Sequence, residues 1–400
     1  MERQIMHIDV NNAFLSWYAI WRLKNGEEID IREIPAIIGG DESKRSGIVL
    51  AKSNLAKQFG IVTGETIYQA RKKCPNIQIF QGDYNVYTEY SNKLYNLLLD
   101  YTDKIERYSI DECFLDMTGY LMNSTLLDKA KEIQNRVNEE LGFTVNIGLS
   151  SNKLLAKMAS DFQKPNKIHT LYLDEIKEKM WPLPIKELFM LGRKSVPKLY
   201  NMNIKTIGDL ANADKNELIK KFGKHGKMIW EYANGIDLSE VIYKYEEPKS
   251  IGNSTTLPKD IQGLESLNEI LSLLAEHVSY RLRKHNMVAS VINVGLRTND
   301  FKDFSHQKKL DLPVSNTKDI YNISKELLKY MYKGEAIRLI SLRVDKLTNK
   351  DEVQISLFET ENNKKQDKLD ETLDMLKSKF GYSSITRAGN LTIKKEIKFK

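Results

Sequence analysis

Strand-like and helix-like segments alternate along the first 174 residues. The runs QIMHIDV, IPAIIGG and TVNIGLS are short and apolar, which is typical of β-strands. Apolar residues at helical spacing indicate helices from residue 12 to about 24 and over residues 84–102. This part of the chain therefore combines both kinds of element.

Further segments of the same region carry clear stop signals. The stretch from SGIVL to KKCP predicts a strand, a short helix ending near Gly60 and a second helix ended by Pro75. IERYSIDECFLDMT alternates as two strands around a tight turn, and two helices follow, the last ended by Pro165. Because there is no regular βαβ alternation, we expect an α+β domain with an inserted subdomain.

The rest of the chain divides into a helical region and a second mixed region. From about residue 175 to 240 the apolar positions keep helical periods and strand signals vanish. The charged stretch YKYEEPKS contains Pro248 and predicts a tether. Residues 249–350 return to strands such as VASVINVGLRT and long helices such as LNEILSLLAEHVSYRLRKH. A chain of 400 residues is long enough for these several domains.

Composition narrows the class of protein. The 61 Lys and Arg against 54 Asp and Glu give a net charge of +7, which suits a polyanionic partner, although many soluble proteins are as basic. Cys74 and Cys113 lie far apart and have no CxxC or Cys/His neighbours, so neither a disulfide framework nor a zinc site is supported. Without a signal-peptide core or a membrane-spanning run, we expect a soluble cytoplasmic protein with no membrane partner.

Three acidic residues are the candidates for chemistry. Asp9 ends the first strand, and Asp111 and Glu112 stand side by side at the predicted hairpin. If these strands are neighbours in one sheet, the three carboxylates meet at one end of it. Two Mg²⁺ ions about 4 Å apart need such hard oxygen ligands in nucleotidyl transfer. On the residues alone, an exposed turn whose acids bind nothing is the commoner arrangement.

Three lysines supply matching positive charge. Lys153 lies at a predicted helix start, where backbone N–H groups and an ammonium group could hold a triphosphate. Lys52 and Lys57 lie in the inserted subdomain. Each lysine alone is typical of a solvated surface residue, so only the three together support a triphosphate site.

Ordered motifs give the chain a family resemblance. HIDVNNAFLSW, GIVLAKSNLAKQFGIVTGETIYQA, YSIDECFLDMT and NIGLSSNKLLAKMASDFQKPN resemble the catalytic core of a Y-family (DinB/UmuC-type) translesion DNA polymerase. KTIGDLA and FGKHGKMIWEYANGID resemble its thumb, and KSIGNSTTLPKDI resembles the start of its little finger. The resemblance covers most of residues 1–358.

The resemblance implies a right-hand polymerase with a palm of mixed sheet and helices, small fingers, a helical thumb and an α+β little finger. It implies binding of primer-template DNA and deoxynucleoside triphosphates, with two Mg²⁺ ions as cofactors. The implied domains are a palm at 1–22 and 80–174, fingers at 23–79, a thumb at 175–242, a linker at 243–248, a little finger at 249–352 and a tail at 353–400.

The same resemblance implies roles for single residues. Asp9, Asp111 and Glu112 match the metal-binding carboxylates, with the Val10 carbonyl as a further ligand. Phe14 matches the steric gate that excludes a 2′-OH, although by its spacing alone it would be a core residue of an amphipathic helix. Substrate-binding positions are matched by Phe14, Asn54, Lys57 and Lys153.

Several positions depart from the family pattern. Asn11 stands where many relatives have a second acid, and Ala13 where an aromatic residue is common. Asn54 and Lys57 replace Tyr and Arg, and a lysine cannot make the bidentate fork of arginine on a phosphate. Met190 replaces a glycine of the thumb hairpin. Since the three carboxylates are intact, we expect activity.

Two features of the last domain point to partners. The basic residues Arg281, Arg283, Lys284 and Arg297 suit contacts with DNA phosphates, although charged helix faces are usually only solvated. QISLFE, residues 354–359, resembles a sliding-clamp-binding peptide in which Gln354, Leu357 and Phe358 enter a groove on the clamp; the end of a strand is the alternative.

In the tail that follows, one face of a helix is marked by Leu369, Leu373, Leu376 and Phe380.

Two rival functions stay open at this point. The letters GGDE within residues 37–43 also begin the signature of diguanylate cyclases, but Ser43 follows instead of an aromatic residue and the thumb-like region would be unexplained. The second rival is a catalytically weak or inactive DNA-binding accessory protein of the same fold, since fold alone does not establish function. Such a protein would typically have lost a carboxylate.

Overall fold

The computed structural model of the chain describes residues 2–41, 47–244, 247–352, 361–382 and 384–385, with the backbone alone for 361–364. The described residues fall into two compact units, one formed by residues 2–40 with 47–244 and the other by residue 41 with the described residues from 247 onward. The strands of the first unit are β1 (Ile5–Val10), β2 (Ala36–Gly39), β3 (Val49–Lys52), β4 (Gln78–Gln81), β5 (Ile105–Arg107), β6 (Glu112–Asp116), β7 (Val145–Ser150) and β8 (Ile168–Thr170). Its helices are α1 (Ala13–Lys24), α2 (Asn54–Gln58), α3 (Ile67–Lys73), α4 (Tyr84–Leu98), α5 (Leu126–Arg136), α6 (Lys153–Ser160), α7 (Ile176–Lys179), α8 (Val196–Tyr200), α9 (Ile207–Ala211), α10 (Lys215–Phe222) and α11 (Lys224–Ala233).

The central sheet of the first unit has the strand order β5-β6-β1-β7-β8. All its neighbours are antiparallel except β7 and β8, which are parallel. The predicted strand QIMHIDV, the hairpin IERYSIDECFLDMT and the strand TVNIGLS are confirmed as β1, β5 with β6, and β7. The hairpin therefore lies directly beside the first strand, as the carboxylate hypothesis requires.

The two faces of this sheet differ in chemistry because strand side chains alternate. On one face, Met6, Ile8 and Val10 pack in a large apolar core with α1, α4 and α5. On the other face, β1 presents His7 and Asp9 toward α6, so polar side chains lie between sheet and helix. Asp9, one of the three candidate carboxylates, therefore lies in this polar layer between the sheet and α6.

The inserted subdomain contains a small sheet of order β3-β2-β4 with α2 and α3 packed on it. The Ser53 hydroxyl accepts a hydrogen bond from the Ala56 N–H at the start of α2, and Thr66 with Gln69 forms a capping box on α3. These caps fix the two short helices that the sequence predicts. Asn12 Nδ2 donates to the Lys52 carbonyl over 2.8 Å, which ties the subdomain to the end of β1.

The helical region packs around its own apolar core, which also takes in residues of α6. Met190, which replaces a glycine of the family pattern, has a φ of 65°. The backbone therefore keeps the left-handed conformation that glycine favours, at a cost of about 1–2 kcal/mol for a residue with a side chain. Met190 thus replaces the glycine of the family pattern without changing the left-handed backbone conformation at this position.

The second unit contains β9 (Ser250–Ile261), β10 (Met287–Thr298), β11 (Asp303–Val314) and β12 (Ile337–Asn349) with α12 (Leu264–Lys284), α13 (Thr317–Met331) and α14 (Glu361–Phe380). The strands form an antiparallel sheet of order β11-β10-β12-β9. Its apolar core is shared with α12 and α13. The strands VASVINVGLRT and AIRLISLRVDKL and the helix LNEILSLLAEHVSYRLRKH are confirmed.

The tail helix α14 is attached to the second unit through charged side chains. Leu369 and Phe380 are exposed, whereas Asp370 and Lys377 are buried. Lys377 pairs with Glu276 of α12, so an ion pair holds this helix against α12. The predicted helix is confirmed, and of its four marked residues Leu373 and Leu376 are partly buried.

Ion pairs also engage two of the basic residues that the sequence suggested for DNA contacts. Arg283 is bound by Asp374 at 2.7 Å and by Asp370 at 3.2 Å, and Arg297 is bound by Asp303 at 2.7 Å. Side chains paired in this way offer less charge to a DNA phosphate than the sequence predicted.

None of the helices in the described part of the chain is both long and apolar enough to cross a membrane.

Candidate active site

The pairing of β1 with β6 brings two of the three carboxylates together. Asp9 and Glu112 are direct partners in the antiparallel register, and the Val10 N–H donates to the Asp111 carbonyl over 3.0 Å. Asp9 is only 8% exposed. Asp111 directly precedes Glu112 in the turn between β5 and β6, where its Oδ1 accepts a 2.6 Å hydrogen bond from the Ser109 hydroxyl.

Two ammonium groups lie among these carboxylates. Lys157 of α6 lies 2.8 Å from Glu112 Oε1, 3.4 Å from Asp9 Oδ2 and 3.0 Å from Asp161 Oδ2. Lys164 lies 2.9 Å from Asp9 Oδ1 and 3.0 Å from Asp161 Oδ1. The carboxylates of Asp9, Glu112 and Asp161 therefore share two ammonium groups. This group of side chains keeps a net negative charge, which attracts further positive charge.

Proximity to acids fixes the charge of both lysines. Burial lowers the pKa of Lys157, but Asp161, Asp9 and Glu112 outweigh this effect and raise the pKa well above its usual value. Burial also lowers the pKa of Lys164, and Asp9 and Asp161 again raise it overall. Both ammonium groups therefore stay protonated at neutral pH.

A buried histidine lies next to this cluster. His7 is on the same face of β1 as Asp9, and its Nδ1 is 2.8 Å from the Ser160 hydroxyl oxygen. Burial, followed by the charges of Lys157 and Lys164, holds the pKa of His7 well below its usual value. His7 is therefore neutral and adds no charge.

The donor set fits a divalent cation in its chemistry. Asp9, Asp111 and Glu112 offer carboxylate oxygens and Val10 a backbone carbonyl, which are the hard ligands that Mg²⁺ prefers. Within the described ranges, no three acidic, histidine or cysteine side chains already form a cluster ready for a metal ion. Instead, Lys157 binds both Asp9 and Glu112, and Asp111 accepts a hydrogen bond from Ser109.

Lys153 does not join the carboxylate cluster. Its ammonium group lies 2.6 Å from Glu106 Oε2 and donates to the Glu240 carbonyl over 3.3 Å. Glu106 also accepts the Ile242 N–H over 2.7 Å. These contacts tie the end of the helical region to the central sheet, so they favour a structural role over the predicted triphosphate contact.

The other predicted substrate residues lie near the end of β1. Phe14 of α1 is half-buried, and its ring lies 4.6 Å from that of Tyr87 between centroids. Asn54 and Lys57 are exposed on α2. Burial, followed by the charge of Lys57, lowers the pKa of Lys52, so these two lysines lie close enough to repel each other.

The predicted clamp-binding residues Gln354, Leu357 and Phe358 lie outside the described residues.

Sequence reasoning missed Lys157 and Lys164. The signal was available for Lys157, which follows Lys153 by one helical turn in SNKLLAK and therefore lies on the same face of α6. Lys164 precedes Pro165 in FQKPN, and only the fold shows that this segment returns to β1.

The sequence matches known families along most of its length. Residues 8–161 match the impB/mucB/samB family, residues 248–357 match the impB/mucB/samB family C-terminal domain, and residues 187–237 match a DNA polymerase-iota thumb domain. DNA polymerase IV of Clostridium acetobutylicum is 49% identical over 388 residues, which cover 97% of this chain and 98% of that protein. DNA polymerase IV of Acetivibrio thermocellus is 36% identical over 397 residues, with 97% of each chain covered.

A solved structure agrees with the sequence relatives. A Y-family DNA polymerase chimera, Dbh-Dpo4(243-245)-Dbh, superposes with a TM-score of 0.75 at 23% identity, covering 86% of this chain and 98% of that one. The predicted α+β fold class is thereby confirmed. With this fold, and with relatives of high identity over nearly the whole sequence, the chain belongs to the Y family of DNA polymerases.

Proposed function

We propose that this Y-family translesion DNA polymerase extends a primer 3′-OH by two-magnesium nucleotidyl transfer at the end of β1 and β6. One observation carries the proposal. Asp9 and Glu112 are register partners on paired strands, Asp111 directly precedes Glu112, and two ammonium groups already bind this acidic cluster.

Each acidic residue has a distinct role in this proposal. Asp9 and Asp111 would hold both ions, with the Val10 carbonyl as a further ligand, and Glu112 would hold the ion beside the primer 3′-OH. Bound Mg²⁺ supplies positive charge that stabilises the attacking oxygen and the triphosphate. Asp111 joins the set by turning away from Ser109, whose hydroxyl is its present partner.

Cationic side chains bind the triphosphate around these carboxylates. Lys164 is the better placed of the two lysines on the acidic cluster, since its side chain is 38% exposed while that of Lys157 is 9% exposed. Lys57 and Asn54 approach from α2, and the Asn12 link to Lys52 keeps that subdomain beside Asp9. The pairing of Lys153 with Glu106 weakens its predicted role as a triphosphate contact.

The domain assignment follows from the same proposal. Residues 1–22 and 80–174 act as the palm and 23–79 as the fingers. Residues 175–242 act as the thumb, 243–248 as a linker and 249–352 as a little finger on DNA. The tail from 353 carries a sliding-clamp peptide, and the protein acts in the cytoplasm.

Primer extension by the purified full chain tests the proposal. We expect template-directed addition of deoxynucleotides that requires Mg²⁺, stops with a chelator, and continues past an abasic site in the template. If primer-template binds and neither Mg²⁺ nor Mn²⁺ supports extension, the chain is instead an inactive DNA-binding accessory protein.

Phe14→Ala should relax the choice of sugar. The Phe14 ring is held against Tyr87 and Tyr84, and such a rigid wall would exclude a 2′-OH. We expect ribonucleotide incorporation relative to deoxynucleotide incorporation to rise roughly tenfold to a hundredfold, measured as a ratio of kcat/KM values. Phe80→Ala, which changes another half-buried phenylalanine of this unit, is the matched control. Lower stability with unchanged sugar discrimination would show that Phe14 is only a core residue.

Deletion of residues 354–358 should remove clamp stimulation alone. A short peptide that binds a clamp raises processivity without touching the chemistry, so basal extension should keep its wild-type rate. The comparison is extension with and without the sliding clamp, using alanine at Gln354, Leu357 and Phe358 against alanine at Ser356 and Glu359 as the control. Equal loss of basal and stimulated synthesis would refute the assignment.

A further inference from the structure

Two buried asparagines connect the strand of Asp9 to the segment that follows α6. Asn11 lies directly after β1, and Asn146 of β7 is the register partner of Asp9. Asn11 Nδ2 donates to Asn146 Oδ1 over 3.1 Å. Asn11 is 8% exposed and Asn146 is 0% exposed, so neither amide has access to bulk water.

Backbone groups fix the orientation of both amides. Asn146 Nδ2 donates to the carbonyls of Ser160 (3.0 Å) and Gln163 (2.7 Å), while its Oδ1 accepts the Lys167 N–H over 3.3 Å. A rotated amide would place its oxygen against two carbonyl oxygens and its NH₂ against an N–H, so only one orientation is compatible.

Asn11 is fixed in the same way. Its Oδ1 accepts the Asn166 N–H over 2.9 Å and the Thr144 hydroxyl over 2.9 Å. Its NH₂ group therefore has to face Asn146 Oδ1. Position 11 needs a donor and an acceptor at once, which an ionised carboxylate cannot provide.

Together the two amides bind the backbone on both sides of Lys164. Their partners are the carbonyls of residues 160 and 163 and the N–H groups of residues 166 and 167. Lys164 lies between these anchors, and its ammonium group is 2.9 Å from Asp9 Oδ1.

We propose that Asn11 and Asn146 are positioning residues that hold Lys164 where it meets the triphosphate of the incoming nucleotide. The inference rests on the proposed polymerase function. It also explains Asn11, which stands where many relatives have an acid. Asn11 holds the backbone beside Lys164 and does not act as a metal ligand. An acid at position 11 would put two acceptors face to face in a buried site, which is costly.

The test is nucleotide affinity in a complex that cannot react. The full chain is bound to a primer-template with a dideoxy-terminated primer, and the complementary deoxynucleotide is titrated in with Mg²⁺. We expect Lys164→Met, Asn11→Asp and Asn146→Ala each to raise the nucleotide Kd roughly tenfold, with primer-template Kd unchanged. Asn135→Asp, an exposed change of the same chemistry, should have no effect.

A double variant separates positioning from general destabilisation. If the asparagines act through Lys164, Asn146→Ala/Lys164→Met should have a nucleotide Kd within about twofold of Lys164→Met alone, because coupled changes are not additive. Additive losses, or lower thermal stability with unchanged nucleotide Kd, would overturn the inference. If Asn146→Ala does not fold, Asn11→Asp/Lys164→Met makes the same comparison. Failure of the wild type to extend primers would instead overturn the proposed function.

Discussion

Changing Asp111 and Glu112 together to alanine is expected to lower the rate of primer extension about a thousandfold or more. Metal ligation contributes several kcal/mol to the transition state, and each 1.4 kcal/mol is a factor of ten in rate. The two residues supply most of the carboxylate oxygens on the β6 side of the site. Asp9 alone would bind divalent ions weakly.

The double variant should stay folded, which makes the result interpretable. Lys157 keeps Asp9 and Asp161 as partners after Glu112 is removed, so no buried ammonium group is left without a counter-charge. A circular dichroism spectrum like that of the wild type and an unchanged primer-template Kd would verify the fold.

The control for this variant removes two exposed carboxylates of the same unit. Glu89→Ala/Asp100→Ala changes residues that are 52% and 59% exposed and pair only at the surface, where such pairs contribute little. It should extend primers like the wild type. Extension by Asp111→Ala/Glu112→Ala at more than about a tenth of the wild-type rate would mean that these acids are not the catalytic ligands.

The sequence predicted the central sheet well because burial leaves a strong pattern in short strands. β1 and β7 are buried along their whole length, and the alternation of IERYSIDECFLDMT revealed the hairpin that places Asp111 and Glu112. The order of the strands required the family resemblance, since periodicity does not show which strands are neighbours.

The lysines were harder to assign because their partners depend on tertiary packing. Lys153 and Lys157 lie one turn apart on α6, and only the seating of that helix on β7 decides which ammonium group reaches Asp9. The helix-start argument favoured Lys153 for its position alone. In the fold, Glu106 satisfies Lys153 instead.

In the second unit, the sequence pattern did not predict the polar strand β11. β11 is an edge strand with mostly exposed residues, and edge strands are often polar because this discourages pairing with other chains. The leucines of α14 mark one face of a helix in the sequence, but Asp370 and Lys377 are its buried side chains. Hydrophobic periodicity cannot reveal a helix that docks through ion pairs.

Gly148→Ala is expected to destabilise the first unit and to reduce catalysis. A Cβ atom at position 148 would lie 1.9 Å from the Ala156 carbonyl oxygen and 2.6 Å from the Ser160 nitrogen. Both atoms belong to the backbone of α6, so no side-chain rotation can relieve the overlap. Overpacking of this kind costs about 1–3 kcal/mol and more where backbone must move.

The loss of activity should exceed what unfolding alone explains. To make room, α6 has to move away from β7, and α6 carries Lys157 to its contacts with Asp9 and Glu112. Gly192→Ala is the matched control, because a Cβ atom there would meet no atom within 4 Å. We expect a lower thermal midpoint for Gly148→Ala and reduced primer extension at temperatures where the protein remains folded. A midpoint and an extension rate equal to those of Gly192→Ala would show that α6 does not rest on Gly148. The close contact between helix and sheet would then not be what places Lys157 beside Asp9 and Glu112.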